Sequence, residues 1–440
     1  MQGTYDLVVI GAGWYGLAVA ATYLQVNSDA TILVLEAQST VGGVWSEERQ
    51  YPDLKSNNML GTYEYPDFPM DTKTYGVKPG EHIPGHVIHR YLSDYAKKTG
   101  VYARIQFETK VLEASRNSNG EGWILTTDSS SLATLFTRKL VVATGLTSEP
   151  FIPSFTGAEL FTTSNGLLIH SRDFNKHTSR LFDKSTSVIV LGGSKSAWDV
   201  AYACASRDVP LEEGVVRLSD GTELVTDAVV CATGWKARPP IKFSPEGIDA
   251  ELGLPSNAAQ TFSQKDVAAA DAEILSRFPK LREQPKTPIP GGDTSADDTN
   301  QPFTLYRFMA PPKHMLEDND IAFAGMITTI STPLCAYLQA LWITAYLSNT
   351  LSRLPSSTLE AEKTALLHSR FGRWRYACGY GARFPDFVFD AVPYLDMLLR
   401  DLGIKEKRKG GWLSEIFEAY GPKDYDGVVG EWSEMQKKQQ

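Results

Sequence analysis

The feature that most constrains this chain is a strand, a glycine-rich turn and a helix near residue 10. Residues 7–10 are a short run of apolar, mostly β-branched side chains, which is typical of a buried parallel strand. The turn over residues 11–16 matches Gly-x-Gly-x-x-Gly, and an apolar helical pattern continues through Leu24. A second apolar strand over residues 31–35 ends at Glu36. This order predicts the first βαβ unit of a dinucleotide-binding α/β domain.

The three glycines of the turn have separate physical roles. Gly11 permits the tight turn, Gly13 lets the backbone approach a pyrophosphate, and Gly16 lets the helix pack against the strand. The helix N-terminus adds unpaired N–H groups and a partial positive charge that favour phosphates. Glu36 follows Gly16 by 20 residues, where a carboxylate accepts hydrogen bonds from ribose hydroxyls. Because that carboxylate disfavours a 2′-phosphate, NADP is not expected at this first site.

The composition is that of an ordinary soluble globular protein. The 440 residues are 42% apolar and 22% charged, and 43 basic against 52 acidic side chains give a net charge of −9. These values exclude a mostly disordered or collagen-like chain, and the acidic balance argues against nucleic acid as the main partner. No Cys-x-x-Cys pair, secretory signal or run of 18 apolar residues is found. We therefore expect a cytoplasmic protein with no metal site and no membrane span.

Three further segments resemble the flavin-containing monooxygenases. Residues 41–45 carry Gly-Gly-x-Trp shortly after the ribose carboxylate, and residues 51–58 and 65–69 match the pattern that follows in the family. A third segment resembles the identifying motif Phe-x-Gly-x-x-x-His-x-x-x-Tyr/Phe, with Ser164 in place of the first Phe and Phe174 at the end. A final Phe, and not Trp, favours this family over the related Baeyer–Villiger enzymes.

The resemblance implies an α/β fold with two dinucleotide-binding, Rossmann-like units, in which the FAD domain is discontinuous. The candidate cofactor-binding residues are Gly11, Gly13, Gly16, Glu36, Gly43, Trp45, Thr144, Gly192, Ser194, Ala197, Gly234 and Gly325. In the family, an Asn before the Pro-Asp-Phe-Pro run lies over the flavin and stabilises the oxygenated intermediate, which makes Asn57 the candidate catalytic residue. The alternative for Asn57 is a turn residue that caps local backbone. His170, within the identifying motif, is expected to be structural.

The second unit begins with another apolar strand and a turn from Gly192 to Ala197. Ser194 replaces its middle glycine, and an alanine in the last position is an accepted variant. An Ala-Thr-Gly segment follows each fingerprint, but it starts 132 residues after Gly11 and only 40 residues after Gly192. Because one βαβ unit takes about 30 residues, only a β-hairpin over 215–225 fits before the next strand. We therefore predict a shortened NADPH unit with an exposed edge strand and an uncovered apolar helix face.

The short second unit has two possible origins. The protein evolved without a full NADPH domain, or it is a truncated or mis-spliced product, and the abrupt junction at residues 209–212 favours such a loss. Residues 284–302, rich in Pro, Gly, Asp and Thr, are expected to form a flexible surface loop. The expected division is residues 1–150 for the first part of the FAD domain, 151–185 for a connecting segment with the family motif, 186–231 for the shortened NAD(P)H unit, and 232–440 for the return to the FAD domain with a C-terminal helical region.

The resemblance implies a monooxygenase of small organic substrates. In the family, NADPH reduces FAD, and reduced FAD captures O₂ as a C4a-hydroperoxide that passes one oxygen to the substrate. Two alternatives stay open at this point. An FAD oxidase or dehydrogenase reduced by its own substrate would explain the short second unit, and a truncated flavin-binding product would have little activity.

Overall fold

The structure, a computed structural model, describes the chain in eight stretches: residues 3–183, 187–207, 215–217, 221–236, 238–255, 262–284, 303–376 and 385–439. The junction at 209–212, Cys378 and, beyond Gln284, the loop expected over 284–302 lie outside the described residues. The other three cysteines, Cys204, Cys231 and Cys335, are buried and form no disulfide.

Strands and helices alternate at the start of the chain and helices dominate its end. The strands are β1 (Thr4–Ile10), β2 (Ile32–Leu35), β3 (Lys55–Met59), β4 (His82–Pro84), β5 (Ile105–Gln106), β6 (Val111–Arg116), β7 (Trp123–Thr127), β8 (Thr134–Val142), β9 (Leu167–His170), β10 (Val188–Leu191), β11 (Val215–Arg217), β12 (Glu223–Val225), β13 (Ala228–Cys231), β14 (Lys242–Ser244) and β15 (Ile321–Phe323). The α-helices are α1 (Trp14–Val26), α2 (Thr72–Tyr75), α3 (Gly85–Lys98), α4 (Ala158–Thr163), α5 (Thr178–Leu181), α6 (Lys195–Ala205), α7 (Ile248–Glu251), α8 (Gln264–Arg277), α9 (Thr332–Leu347), α10 (Thr358–Arg375), α11 (Ala391–Leu402), α12 (Trp412–Phe417) and α13 (Val428–Gln439). The predicted β1–α1–β2 unit is therefore present.

The larger sheet is built around β1. Its order is β14-β6-β7-β8-β1-β2-β5, with β15 beside β8, and β1 is parallel to both β2 and β8. Leu7 and Val9 face a core shared with α1, α3 and α9, whereas Val8 and Ile10 face a second core beneath β6, β7 and β8. Burial on both faces explains why this strand is an unbroken apolar run and not an alternating one.

Strand β8 joins two distant parts of the chain into this sheet. Residues 134–137 of β8 pair antiparallel with β7, while residues 140–142 pair parallel with β15. β15 therefore returns to the sheet after the whole second unit, so the first domain is formed by separate parts of the chain. The next helix, α9, packs against α1 and is buried along nearly its whole length. Across the described ranges, no helix is both long and apolar enough to span a bilayer.

The second unit is small. Its sheet has the order β10-β13-β9, all parallel, and α6 buries Val200, Ala203 and Cys204 in the adjoining core. Among the described residues β10 pairs only with β13, and its side chains are partly exposed. The opposite face of α6 leaves Trp198 72% and Tyr202 70% exposed. The predicted edge strand, uncovered helix face and β11–β12 hairpin are all present.

Candidate dinucleotide site

The first glycine turn is held by contacts that exclude larger residues. Gly11 has a φ of +106°, and a Cβ there would lie 2.5 Å from the carbonyl oxygen of Ala143. A Cβ on Gly16 would lie 1.8 Å from the carbonyl oxygen of Gly11. The Gly13 and Gly43 backbones also approach closely, since a Cβ on Gly43 would lie 3.3 Å from the Cα of Gly13. The turn therefore presents bare backbone at the N-terminus of α1, as a phosphate site requires.

A cleft of about 1020 Å³ opens over this turn. Six of the predicted cofactor residues line it: Gly11, Gly13, Glu36, Gly43, Thr144 and Gly325. They come from the turn, the ends of β2, β8 and β15, and the Gly-Gly-x-Trp segment, so the fold gathers them from three distant parts of the chain. The volume lies at the upper end of ligand pockets in proteins.

Glu36 is fixed by two backbone donors. Its Oε2 accepts the N–H of Ala12 at 2.7 Å, and its Oε1 accepts the N–H of Gln38 at 3.0 Å. Burial raises the pKa of Glu36 above its ordinary value, although both hydrogen bonds and the charge of Arg49 act in the opposite direction. The carboxylate thus braces the glycine turn in addition to lining the cleft.

Several polar groups in the cleft wall are buried without partners. The Oγ1 of Thr144, the Nε of Arg49 and the hydroxyl of Tyr15 have no hydrogen-bond partner among the described residues. Buried polar groups in native proteins are almost always satisfied, so these atoms indicate a polar ligand. FAD, with its pyrophosphate, ribose hydroxyls and polar ring edge, fits this set of donors and acceptors.

Gly325 lies at the end of β15 and packs tightly. Its φ is +78°, and a Cβ there would lie 2.6 Å from the ring of Tyr15. The N–H of Gly325 donates to Oε1 of Gln339 on α9 at 2.9 Å, and the Nε2 of Gln339 donates to the hydroxyl of Tyr394 at 2.8 Å. This buried chain of hydrogen bonds fixes the loop between β15 and α9 against the cleft.

Trp45 and Asn57 are not among the residues that line the cleft. The Trp45 ring contacts Tyr63, which does line the cleft, with 6.4 Å between ring centroids. Asn57 is exposed on β3 and is not among the lining residues. Its neighbour Asn58 donates to the carbonyl oxygen of Ile330 at 3.0 Å. The catalytic role of Asn57 therefore stays a prediction.

The second glycine turn repeats the backbone of the first. Gly192 has a φ of +138°, and a Cβ there would lie 2.4 Å from the carbonyl oxygen of Ala232. Ser194 precedes the first turn of α6, and Ala197 lies within that turn and is buried. Lys195 forms an ion pair with Asp199, so the one cation in this turn is already engaged.

His170 connects the second sheet to the segment that follows it. Its Nδ1 accepts the N–H of Arg172 at 3.1 Å, so its Nε2 carries the proton that it donates to the carbonyl oxygen of Gly234 at 2.9 Å. Burial lowers the pKa of His170, and its ring stands edge-on to Trp235. These contacts support the expected structural role. Gly234, predicted to bind a cofactor, has its carbonyl engaged by this histidine.

Sequence reasoning missed several charged residues of the cleft, among them Arg49 and Arg172. Both line it beside the loop that follows β8. Arg172 belongs to the identifying motif, which was a usable signal, but Arg49 stands in a segment with no periodicity. Within the described ranges, no group of three His, Cys, Asp or Glu side chains converges as in a metal site.

The sheet, the glycine turn, the ribose carboxylate and the returning strand β15 define a dinucleotide-binding oxidoreductase. The family model for pyridine nucleotide-disulphide oxidoreductases matches residues 8–213. The chain is 30% identical to the FAD-dependent monooxygenase rstn6 of Aspergillus nomiae, over 97% of this chain and 98% of that protein. It therefore belongs to the FAD-dependent monooxygenases. The predicted resemblance, the oxidoreductase activity and FAD as cofactor are confirmed.

Solved structures show the same fold. The S-allyl-L-cysteine S-oxygenase from Allium sativum has a TM-score of 0.64 at 18% identity, covering 99% of each chain. Tmm from a Pelagibacter species has a TM-score of 0.61 at 18% identity, covering 90% of this chain and 86% of that one. The two-unit α/β fold predicted from the sequence is confirmed.

The alignment with the Aspergillus nomiae relative also shows that this chain lacks sequence present in the relative. The alignment extends over 585 positions, while this chain has 440 residues, so at least 145 residues of the relative are aligned with gaps in this chain. The match to the family model ends at residue 213, close to the place where the second unit is short. The missing length is sufficient for several βαβ units, each of which takes about 30 residues.

Proposed function

We propose that this protein uses NADPH and O₂ to oxygenate a small organic substrate. The observation that carries the proposal is the second glycine turn. Its positive φ at Gly192 and its close approach to Ala232 reproduce the geometry of the turn at Gly11 and Ala143. A backbone of this form accepts a dinucleotide phosphate at the N-terminus of the following helix, here α6.

The proposed assignment gives FAD to the domain formed by residues 1–150 and 232–440, and NADPH to residues 186–231. The turn at Gly11 and Gly13 would hold the pyrophosphate of FAD, and Glu36 would accept its ribose hydroxyls. When bound, FAD would supply the redox and oxygen chemistry, for which we propose the C4a-hydroperoxyflavin route. Asn57 is retained as the proposed residue beside the flavin.

The protein contributes shape and exclusion of water to this chemistry. Trp14 and Tyr63 form an aromatic wall of the cleft, with 5.0 Å between their ring centroids, and Trp14 is only 4% exposed. Tyr65 packs behind Trp14 at 4.9 Å and donates its hydroxyl to the carbonyl oxygen of Trp14 at 2.5 Å. Such a wall limits access of water to a bound ring system.

Rapid-mixing spectroscopy of the holoenzyme tests the proposal. Anaerobic NADPH is expected to bleach the absorbance of bound FAD, and O₂ is then expected to produce the near-ultraviolet band of an oxygenated flavin. Absence of bleaching by NADPH at any concentration would contradict the NADPH assignment. Bleaching and a hydroxylated or heteroatom-oxidised product together would support it.

A second candidate function is an FAD oxidase or dehydrogenase that is reduced by its own substrate. The observation in its favour is the small second unit, in which three parallel strands are described and Lys195 is engaged by Asp199. Under this alternative, an organic substrate bleaches the flavin under anaerobic conditions and NADPH does not.

A further inference from the structure

We propose that Arg49 and Arg172 form a binding site for the phosphate groups of a dinucleotide, in the part of the cleft nearest the second unit. The site is not one of the two glycine turns. It is built from two guanidinium groups that reach the same loop from different segments, Glu47–Arg49 and Ser171–His177. The phosphates can come from FAD or from NADPH. The assignment to FAD rests on the family to which the chain belongs, and the assignment to NADPH rests on the proposed function.

The two arginines are held side by side by consecutive carbonyl groups. Nη1 of Arg49 donates to the carbonyl oxygen of Thr147 at 3.2 Å, and Nη1 of Arg172 donates to that of Ser148 at 3.0 Å. The guanidinium of Arg49 also lies over the ring of Trp235, 5.7 Å from its centroid. A neutral carbonyl orients each cation, and the Trp235 face also orients Arg49, but neither contact neutralises the charges.

The environment disfavours this pair of charges. Burial lowers the pKa of Arg49 to about 10, and the charge of Arg172 is the next cause. The Nε of Arg49 is buried and has no hydrogen-bond partner among the described residues. Two neighbouring, partly buried cations without an anion destabilise a fold, so the arrangement is explained if an anion binds between them.

No side chain of the described residues supplies that anion. The neighbouring carboxylates are all engaged elsewhere: Glu36 by the backbone of Ala12 and Gln38, Glu48 by Ser39 and Thr40, Asp173 by Lys176, and Glu149 by Lys236. They act on the arginines only at longer range. The counter-ion is therefore expected to come from a ligand.

Phosphate is the ligand chemistry that fits best. Guanidinium groups bind phosphate oxygens through paired hydrogen bonds, and a pyrophosphate carries enough charge for two arginines. The cleft that Arg49 and Arg172 line is the one that contains Gly11 and Gly13, which favours the pyrophosphate of FAD. Trp235 directly follows the second Ala-Thr-Gly segment, so a phosphate of NADPH is the other source of the same chemistry.

The experiment compares Arg49→Gln and Arg172→Gln with the wild type. The FAD dissociation constant is measured by titrating apoprotein and following flavin fluorescence at low and high salt. If FAD supplies the phosphates, each variant binds FAD about tenfold more weakly or worse and loses part of the salt dependence. Arg49→Lys keeps the positive charge but lacks the guanidinium group that donates paired hydrogen bonds. It is expected to bind FAD more tightly than Arg49→Gln but less tightly than the wild type. Arg90→Gln, at an exposed arginine that does not line the cleft, is the matched control.

The second arm uses the FAD-loaded variants and titrates NADP⁺ against the flavin absorption spectrum. Normal FAD affinity with weakened NADP⁺ binding would assign the phosphates to the pyridine nucleotide. Wild-type affinity for both dinucleotides in both glutamine variants would overturn the proposal. If one variant does not fold, the other and Arg49→Lys still decide the outcome. If NADPH fails to reduce the flavin, the proposed NADPH-dependent function is wrong, but the assignment of the arginines to the phosphates of FAD is unaffected. The two proposals can therefore fail separately.

Discussion

The two glycine turns have nearly the same backbone and very different surroundings. A Cβ on Gly11 or on Gly192 would approach the carbonyl oxygen of an Ala-Thr-Gly alanine to 2.5 or 2.4 Å. The first turn follows a central strand of an eight-stranded sheet and lines a large cleft, while the second follows an edge strand of a sheet of three strands. A few residues are enough to build the turn, but the remainder of the domain decides what the turn can bind.

The helices that follow the turns show the same contrast. α1 is packed on one side against the sheet and on the other against α9, so residues 16–23 are all buried. α6 packs on one side only and exposes Trp198 and Tyr202 on the other. Both helices are rich in apolar residues, and only the first has its apolar surface covered among the described residues.

The largest expected effect is the loss of bound FAD when the first glycine turn is altered and its retention when the second is altered. A Cβ at Gly16 would lie 1.8 Å from the carbonyl oxygen of Gly11, so Gly16→Ala must open the first turn. We expect this variant to lose bound FAD, measured as the ratio of flavin to protein absorbance. Gly192→Ala strains only the second turn, at a cost of about 1–3 kcal/mol, and is expected to retain FAD. Loss of FAD in both variants would contradict the separation of the sites.

The second prediction concerns the two helices. Leu17 on α1 is fully buried, so Leu17→Ala is expected to lower the free energy of unfolding by about 2–5 kcal/mol. Trp198→Ala on α6 is expected to change it by less than about 0.5 kcal/mol, because this ring is largely exposed. Urea denaturation of both variants measures the difference. An equally large cost for Trp198→Ala would mean that α6 is covered in solution.

A smaller effect is expected at Glu36, in the complete unit. Glu36→Gln keeps the size of the side chain but has only one acceptor oxygen for the N–H groups of Ala12 and Gln38. One of these donors would face an amide N–H, at a cost of about 1–3 kcal/mol. We expect about tenfold weaker FAD binding in the apoprotein titration. The exposed neighbour Glu47 provides the control, since Glu47→Gln is expected to bind FAD normally.

The smallest effect is a pH dependence that involves a histidine from each region. Burial lowers the pKa of His368 on α10 to about 3 and also lowers the pKa of His170. As the pH falls, these histidines become protonated in the unfolded chain at a higher pH than in the folded chain. The stability that the neutral histidines confer is therefore present near neutral pH. It is lost as the pH falls from 6.5, the ordinary histidine value, toward the lowered values.

Hydrogen exchange at pH 7 and pH 5 measures this dependence region by region. His170→Gln is expected to flatten the acid loss of protection in β9 and β13, with little change around β1. His86→Gln, at an exposed histidine, is the control. Acid sensitivity of β9 and β13 that is unchanged in His170→Gln would contradict the role assigned to His170.

Much of the first unit could be predicted because its information is local. The apolar run at 7–10, the glycine spacing and Glu36 lie within 30 residues, and each has a direct structural cause. The length deficit of the second unit was also visible by counting from Gly192 to Ala232. The exposed face of α6 then followed from the missing length.

Other parts of the site could not be predicted from local pattern. Arg49 and Arg172 are 123 positions apart, and only the packing of their two 3-10 segments brings them to one loop. The pairing of Glu36 with the N–H of Ala12 likewise depends on the closed turn. Side chains without periodicity reveal their partners only when the backbone is in place.

The sequence by itself determined the family, the fold class, the FAD fingerprint and the shortage in the second unit. These follow from glycines, strand patterns and spacings whose physical causes act over a few residues. Only the tertiary structure decided that β15 completes the first sheet, that Lys195 is engaged by Asp199, and that Arg49 and Arg172 bind consecutive carbonyl groups in the cleft. Those outcomes depend on contacts between distant segments, which compact packing creates and sequence spacing does not encode.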